Sequence, residues 1–336
     1  MQTTELTNDS KAILLLCGVF GGKANSNQIN PLSITEYNSF ASVLIEKNLR
    51  PGDILNPGLL EELNSEFKGR FEFERIKGLL NRGASLAFSI EKWINKGIWI
   101  ITRSDTHYPQ KLWKRFGKYC PPILFGAGDA DLLNCEGLAV VGSRKIDPEG
   151  ETYTKNIGEI CAKLSIPVVS GGARGVDQIA MTSCLESYGS TIGILADGLL
   201  QASVSGKYRS AIMDRRLVLL STYNPEARFN VGNAMSRNKY IYSFSKYALI
   251  VSSEKDKGGT WTGAIEELKR QNGIGVFVRT EGSAPNGNFE LLKLGARPFP
   301  KQPWDESLIG ELNDYIAIIE YSSEQTSIFD KIKTNG

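Results

Sequence analysis

The chain has 336 residues, of which 41% are hydrophobic and 23% charged, and its formal net charge is +2. These are ordinary values for a soluble globular protein with a substantial core, and they exclude an intrinsically disordered chain. No apolar run reaches the roughly 20 residues that a membrane-spanning helix needs, and a lone histidine, His107, removes most His-based metal sites and catalytic triads.

The near-neutral total hides an asymmetry. Residues 137–300 carry 20 Lys/Arg against 15 Asp/Glu, whereas residues 301–336 carry 3 against 7. A modest basic surplus on the middle of the chain is compatible with a nucleic-acid surface. The five cysteines, Cys17, Cys120, Cys135, Cys161 and Cys184, are scattered, with no CxxC spacing. We read them as reduced thiols, which points to the cytoplasm.

Taken in chain order, residues 1–9 are polar. Lys11–Phe20 reads as a core helix; no small-residue cleavage site follows it, so it is not read as a signal peptide. Ser33-Ile34-Thr35-Glu36 has the form of a capped helix start, with Phe40, Val43 and Leu44 following at helical spacing. Pro51-Gly52-Asp53 and Asn56-Pro57-Gly58 are turns. We expect residues 1–89 to form a small all-helical domain.

The pattern then changes. Strands are predicted at 97–102 and 122–126, with a short helix opening at Tyr108-Pro109. Further strands follow at about 138–142, 166–170, 191–195, 216–221, 247–252 and 274–279, alternating with amphipathic helices. This alternation predicts an α/β fold, a doubly wound and mostly parallel sheet, over residues 90–300. Residues 301–336 are expected to be an acidic tail with one helix at 307–321.

The most informative stretch is 137–177. An apolar strand stops at Gly142-Ser143-Arg144, and a second stops at Ser170-Gly171-Gly172-Ala173-Arg174-Gly175-Val176-Asp177. Each is a small-residue loop with one arginine that feeds a helix. Glycines let the backbone approach an anion, and helix N-termini present unpaired amides to phosphate oxygens. Side by side, the two would make a polyanion site at the carboxyl edge of a parallel sheet. Alone, the first triplet is equally well a tight turn with a surface arginine, and Asp177 equally well a helix cap. Asp147, Glu149 and Glu151 crowd a helix start and are read as structural.

Two further stretches follow. In Asn233–Ser245, Arg237 and Lys239 flank Asn238, with Tyr240, Tyr242 and Phe244 just behind. Cations that hold a backbone beside aromatics that stack bases would fit a single strand, and so would a helix with its aromatics in the core. In Lys257–Glu267, Gly258, Gly259 and Thr260 follow a strand, with Trp261 and Thr262 next. Hydroxyls and amides at a helix start again suit an anion. Neither the P-loop spacing nor GxGxxG is present, so neither ATP hydrolysis nor NAD chemistry is supported. No cofactor, metal cluster or nucleophile–base pair is expected.

The order GSR, then SGxARGxD, then RN[RK]xI…S, then a glycine–threonine turn into a helix resembles the DNA-processing protein A family (DprA, also called Smf). Gly97–Gly126, with its DxxYPxxL…PPILFG pattern, resembles that family's lead-in, and Gly287-Asn288…Leu291-Leu292…Gly295-Ala296 its closing pattern. The resemblance covers about 90–300. It implies an extended Rossmann fold that binds single-stranded DNA and hands it to a RecA-type recombinase. It also implies a homodimer serving natural transformation, recombination or related DNA processing, whereas departures from the family pattern point to a divergent branch used in defence against mobile DNA and phage. By the same resemblance Arg144, Arg174, Arg237 and Lys239 line the strand-binding pocket, and Gly142, Ser143, Ser170 and Gly171 supply backbone contacts.

Three departures stand out: GGTWTGA at Gly258–Ala264, the proline-free loop Asp197–Gln201, and a tail without the length or basic charge of a winged helix. Trp261 can stack a base or fill core. The competing function is an enzyme, a nucleoside-monophosphate N-glycoside hydrolase, for which Gly258-Gly259-Thr260…Glu266 is one residue out of register; a nucleotide-signal sensor is a third reading.

Overall fold

The computed structural model describes residues 6–20, 29–67 and 70–314. Helix α1 (Asn8–Cys17) starts at Thr7, whose hydroxyl accepts from the Ser10 amide. Its last carbonyls are capped from a distance by Arg82, which donates to Leu15 O and Gly18 O. Helix α2 (Ile34–Glu46) starts at the predicted cap: the Glu36 amide donates to Ser33 Oγ at 3.2 Å and the Ser33 amide to Glu36 Oε2 at 2.8 Å. This reciprocal pair satisfies two otherwise orphaned donors. The helices α3 (Pro57–Glu62), α4 (Asn64–Phe67), α5 (Phe73–Leu80) and α6 (Gly83–Ile94) complete the helical segment.

From there strands and helices alternate. They run β1 (Ile98–Thr102), α7 (Gln110–Phe116), β2 (Ile123–Gly128), β3 (Gly137–Gly142), α8 (Pro148–Lys163), β4 (Val168–Ser170), α9 (Val176–Glu186) and β5 (Thr191–Ile194). Then come α10 (Leu199–Ser203), α11 (Gly206–Met213), β6 (Leu217–Ser221), α12 (Val231–Ser243) and β7 (Ser245–Ser252). The series closes with α13 (Gly258–Leu268), β8 (Gly275–Val278), α14 (Asn286–Lys293) and β9 (Arg297–Pro298). The strands predicted from apolar runs are all present, shifted by a few residues at most. The two-residue β9 carries no apolar run and is an addition. Of the helix expected at 307–321, residues 308–314 are helical, and the rest lies outside the described residues.

The chain forms two compact units, one of residues 1–135 and 192–243, the other of 136–191 and 244–336. In the first, β1 pairs antiparallel with β2, and β2 antiparallel with β6. Its core centres on Trp93, which is fully buried, stands edge-on to Phe125 at 5.2 Å and donates to Glu226 at 3.3 Å. A buried polar knot ties α1 to the end of β1. Asp105 accepts from Ser10 Oγ at 2.8 Å and from the Thr102 amide at 2.6 Å.

In the second unit the strand order is β4-β3-β7-β8-β9, parallel throughout. These strands are apolar on both faces, as a sheet covered by helices requires. The step β3–α8–β4 runs one way and β7–α13–β8 the other. Right-handed crossovers therefore put α8 and α13 on opposite faces, the doubly wound arrangement. Helices α8 and α9 touch where Gly158 has no side chain: a Cβ there would lie 1.9 Å from Ser183 Oγ.

One buried side chain locks the edge of this unit. Asn288, at 0% exposure, accepts from the Ser253 amide and hydroxyl at 3.0 and 2.9 Å. Its amide nitrogen donates to Val251 O at 3.0 Å and Arg279 O at 2.9 Å. It thus ties α14 to the ends of β7 and β8. Asn288→Ala strands several buried polar groups at once, and a loss of about 2–4 kcal/mol in unfolding free energy is expected. Denaturant titration of the two proteins measures it.

Candidate functional site

In the second unit β3 lies between β4 and β7, although the chain reaches β7 only much later. The connections from β3 and β7 diverge at this point, which is where an open α/β sheet offers a crevice at its carboxyl edge. Three loops meet there, and their contacts are explicit. The Val176 amide, at the start of α9, donates to Ser143 O at 3.3 Å. Thr260 Oγ1, in the first turn of α13, donates to Gly142 O at 3.1 Å. The loop after β3 is therefore held on one side by the loop after β4 and on the other by the start of α13.

Two glycines make this approach possible. A Cβ on Gly142 would lie 2.5 Å from Val176 Cγ2. Gly175 has φ +82°, and a Cβ on it would lie 2.3 Å from Ser143 O. Any other residue at 175 carries both a backbone penalty and a collision with main chain.

The remaining small residues serve the loops themselves. Ser170 is fully buried and donates to Val140 O at 2.6 Å, so its hydroxyl is committed to the neighbouring strand. The Gly171 amide donates to Asp177 Oδ2 at 3.2 Å, closing the loop Gly171–Asp177 on itself. Gly172 has φ +68° and completes the turn. Ser143 Oγ accepts from the Lys145 amide at 3.2 Å. Asp177 therefore braces the loop from the second position of α9, whose cap residue is Gly175.

What faces solvent is cationic. Arg144 and Arg174 are both exposed, one on each glycine loop. Neither α9 nor α13 receives a hydrogen bond from the side chain of its capping residue, Gly175 and Lys257 respectively. Their first-turn amides, with Gly258 exposed and Gly259, Thr260 and Thr262 partly so, end at the same edge. Glu254, 3.7 Å from Lys257 Nζ, and the exposed Asp256 precede α13, while the carboxylates at the start of α8 are engaged elsewhere. Asp147 accepts from the Gly150 amide at 2.8 Å and Ser283 Oγ at 2.9 Å, which holds its carboxyl below the ordinary range. Glu149 accepts from the Ser283 amide at 2.9 Å. Asp147, Glu149 and Glu151 thus sit at the start of α8 as the sequence suggests.

Trp261 is only 8% exposed, so of its two sequence readings the structure realises the buried one. Its indole presents no open face to a base. Glu267 is buried and accepts from the Ile274 amide at 2.8 Å at the far end of α13, while Glu266 is exposed about 9 Å along the helix from Thr260. No carboxylate of α13 is thereby delivered to the turn that a hydrolase would use. Among the described residues no group of three or more His, Cys, Asp or Glu gathers as a metal site, and no helix is long and apolar enough to cross a membrane.

Arg237, Asn238 and Lys239 belong to the first unit, on α12. Arg237 is 5% exposed, so its guanidinium is not spread on the surface. Tyr240, Tyr242 and Phe244 are buried as well, and as core residues they are not stacking platforms. Lys239 lies over the rings of Phe116 and Tyr240 at 5.6 and 5.1 Å. The sequence reading began at Asn233 and missed what precedes it. Arg228–Gly232 is exposed throughout, and Phe229 is 51% exposed beside Arg228. An aromatic next to a cation outside any strand or helix core was the available signal.

The family model for DNA recombination-mediator protein A matches residues 99–305. Protein Smf of Synechocystis is 27% identical over 250 residues, 71% of this chain and 62% of that protein. DNA processing protein DprA of Bacillus subtilis is 29% identical over 60% of this chain and 68% of its own length. Against the first of these relatives and the putative DprA of Mycobacterium tuberculosis, the match spans only 62% and 57% of their lengths. Among solved structures, DNA processing protein A of Streptococcus pneumoniae superposes with a TM-score of 0.61 at 22% identity, over 88% of this chain and 95% of that one. The Helicobacter pylori protein, whose structure describes a single-stranded DNA binding mode, gives 0.52 at 23% identity over 66% and 98%. At these identities the likeness is one of fold.

Gly175→Ala tests whether the loop contact is obligatory. We expect a loss of about 1–3 kcal/mol in stability from the forced backbone conformation, read from a shifted denaturation midpoint. Gly258→Ala has the same sign of φ, +78°, but nothing within 4 Å of its added carbon, and is expected to lose less.

Proposed function

We propose that this chain, which belongs to the DNA recombination-mediator protein A family (DprA/Smf), binds single-stranded DNA without catalysing a reaction on it and delivers it to a RecA-type recombinase. One observation carries the binding part: the loops after β3 and β4 and the start of α13 are hydrogen-bonded together at one sheet edge, with Arg144 and Arg174 exposed on them. Backbone amides and guanidinium groups recognise phosphate oxygens, which every nucleotide has. The expected ligand is accordingly the sugar–phosphate backbone, with little preference for sequence. In the first unit, Asn238 and Lys239 with the exposed Arg228 and Phe229 are further candidate contacts, the aromatic for an unpaired base.

The recombinase partner, a homodimeric state, a cytoplasmic setting and a role in transformation, recombination or defence against phage and mobile DNA rest on kinship with the family alone. The single-strand preference is supported by the description of the Helicobacter pylori relative. The hydrolase reading is disfavoured by Glu267 being buried on the Ile274 amide, and saturable binding of a small nucleotide without turnover would favour the sensor reading.

Fluorescence anisotropy with labelled oligo-dT across a salt series tests the reading. Arg174→Ala is expected to weaken binding several-fold and to flatten the log K against log salt plot by about 0.7, the share of one single-strand phosphate contact. An affinity and slope identical to the parent protein would remove Arg174 from the interface. Release of free base from a nucleoside monophosphate would replace the binding reading by the enzymatic one.

A further inference from the structure

We propose that the first unit carries its own single-strand-binding face, formed by α7 with the turn that follows it and by the outward side of α12, with Lys114, Lys118 and Tyr119 as contacts. The proposal rests on the reading that the protein binds single-stranded DNA, and extends it from the motif residues of α12 to Lys114, Lys118 and Tyr119, which the motifs do not single out as contacts.

Charge is the first argument. From Thr106 to Gly128 the chain has no Asp or Glu, but it has Lys111, Lys114, Arg115 and Lys118. From Ala227 to Ser243 it again has none, but it has the exposed Arg228 and the half-buried Lys239 besides the buried Arg237. The acids that bracket these stretches are occupied. Asp105 accepts from Ser10 and Thr102. Asp129 pairs with Arg215 at 2.9 Å, and Glu226 pairs with Lys92 at 2.5 Å. Exposed stretches with cations and no carboxylates of their own favour a polyanion.

Placement is the second argument. Strands β2 and β6 run antiparallel, with Phe125 opposite Ser221. The start of β2 therefore lies beside the end of β6. Helix α7 leads into β2, and the exposed segment before α12 leads out of β6, so both emerge at the same end. They touch: the Phe116 and Tyr240 rings meet edge-to-face at 5.4 Å, and the Lys239 ammonium lies over both. Two acid-free stretches are thus packed against each other at one end of the unit.

The third argument selects a bare strand over a duplex or an acidic protein. Tyr119 is 54% exposed with the Lys118 ammonium 5.4 Å from its ring centre, and Phe229 is 51% exposed beside Arg228. Exposed aromatics alternating with cations match a ligand whose charges alternate with flat, unpaired bases. A duplex hides those faces, and an acidic peptide has none.

The test uses the full chain with Lys114→Gln/Lys118→Gln, and separately Tyr119→Ser, all at exposed positions. Thermal midpoints serve as the folding control. The double substitution is expected to weaken oligo-dT binding about tenfold at low salt and to lower the salt slope by about 1.4, the share of two single-strand phosphates. Tyr119→Ser is expected to weaken single-strand binding while leaving any duplex binding unchanged, and 5-bromouracil oligonucleotides should crosslink to Tyr119. If Arg174→Ala weakens binding while these variants keep the parent affinity and slope, the face is overturned and the loop reading stands. If the parent protein binds no single-stranded DNA, both fall. If poly-glutamate displaces the oligonucleotide as well as unlabelled oligo-dT does, the face is a general polyanion surface, and the single-strand assignment is overturned.

Discussion

The contact between Ser143 O and the Val176 amide is the constraint on which the candidate site depends. It requires that two loops from adjacent strands approach with main chain against main chain, and it exists because positions 142 and 175 have no Cβ. With side chains there, α9 would be pushed from the end of β3, and Arg174 would separate from Arg144. Thr260 adds the other side of the clasp by bonding Gly142 O from α13. An edge fixed by main-chain hydrogen bonds is pre-organised, which lowers the ordering cost of any ligand that the exposed loops would meet.

The same economy explains why so many conspicuous small polar residues face inward. Ser170 and Asn288 bond main chain of another segment, and Asp177 bonds main chain of its own loop, so each spends polar atoms on the framework. They fix the loops and leave the exposed cations and amides as the groups available for contact. The polar residues of the motifs therefore divide into a buried supporting set and an exposed set, and burial distinguishes them.

Much of this was legible in the sequence. Strand positions follow from apolar runs bounded by glycine, and the capped start at Ser33–Glu36 follows from its residue types. The two arginine-bearing loops are visible as interruptions of apolar strands. Less was legible on α12. Arg237, Tyr240, Ile241 and Phe244 recur at the three- and four-residue spacing of a buried stripe, and all four are buried. A cation on such a stripe looks like a surface contact when charge alone is read. Trp261 stays open between two readings in the sequence, since a bulky residue after a glycine turn reads alike whether it points outward or in, and burial selects the core one. The bond from Thr260 to Gly142, which joins residues far apart in the chain, follows from strand order and has no local signal.

The path of the chain between the two compact units has a consequence for biosynthesis. The polypeptide leaves the first unit after residue 135, returns at 192 and departs again after 243. Strand β2 is made early, yet its partner β6 lies at Leu217–Ser221. A nascent chain on the ribosome therefore holds β1 and β2 with an unfilled edge until some ninety further residues have emerged, and during that interval the edge is open to wrong pairing.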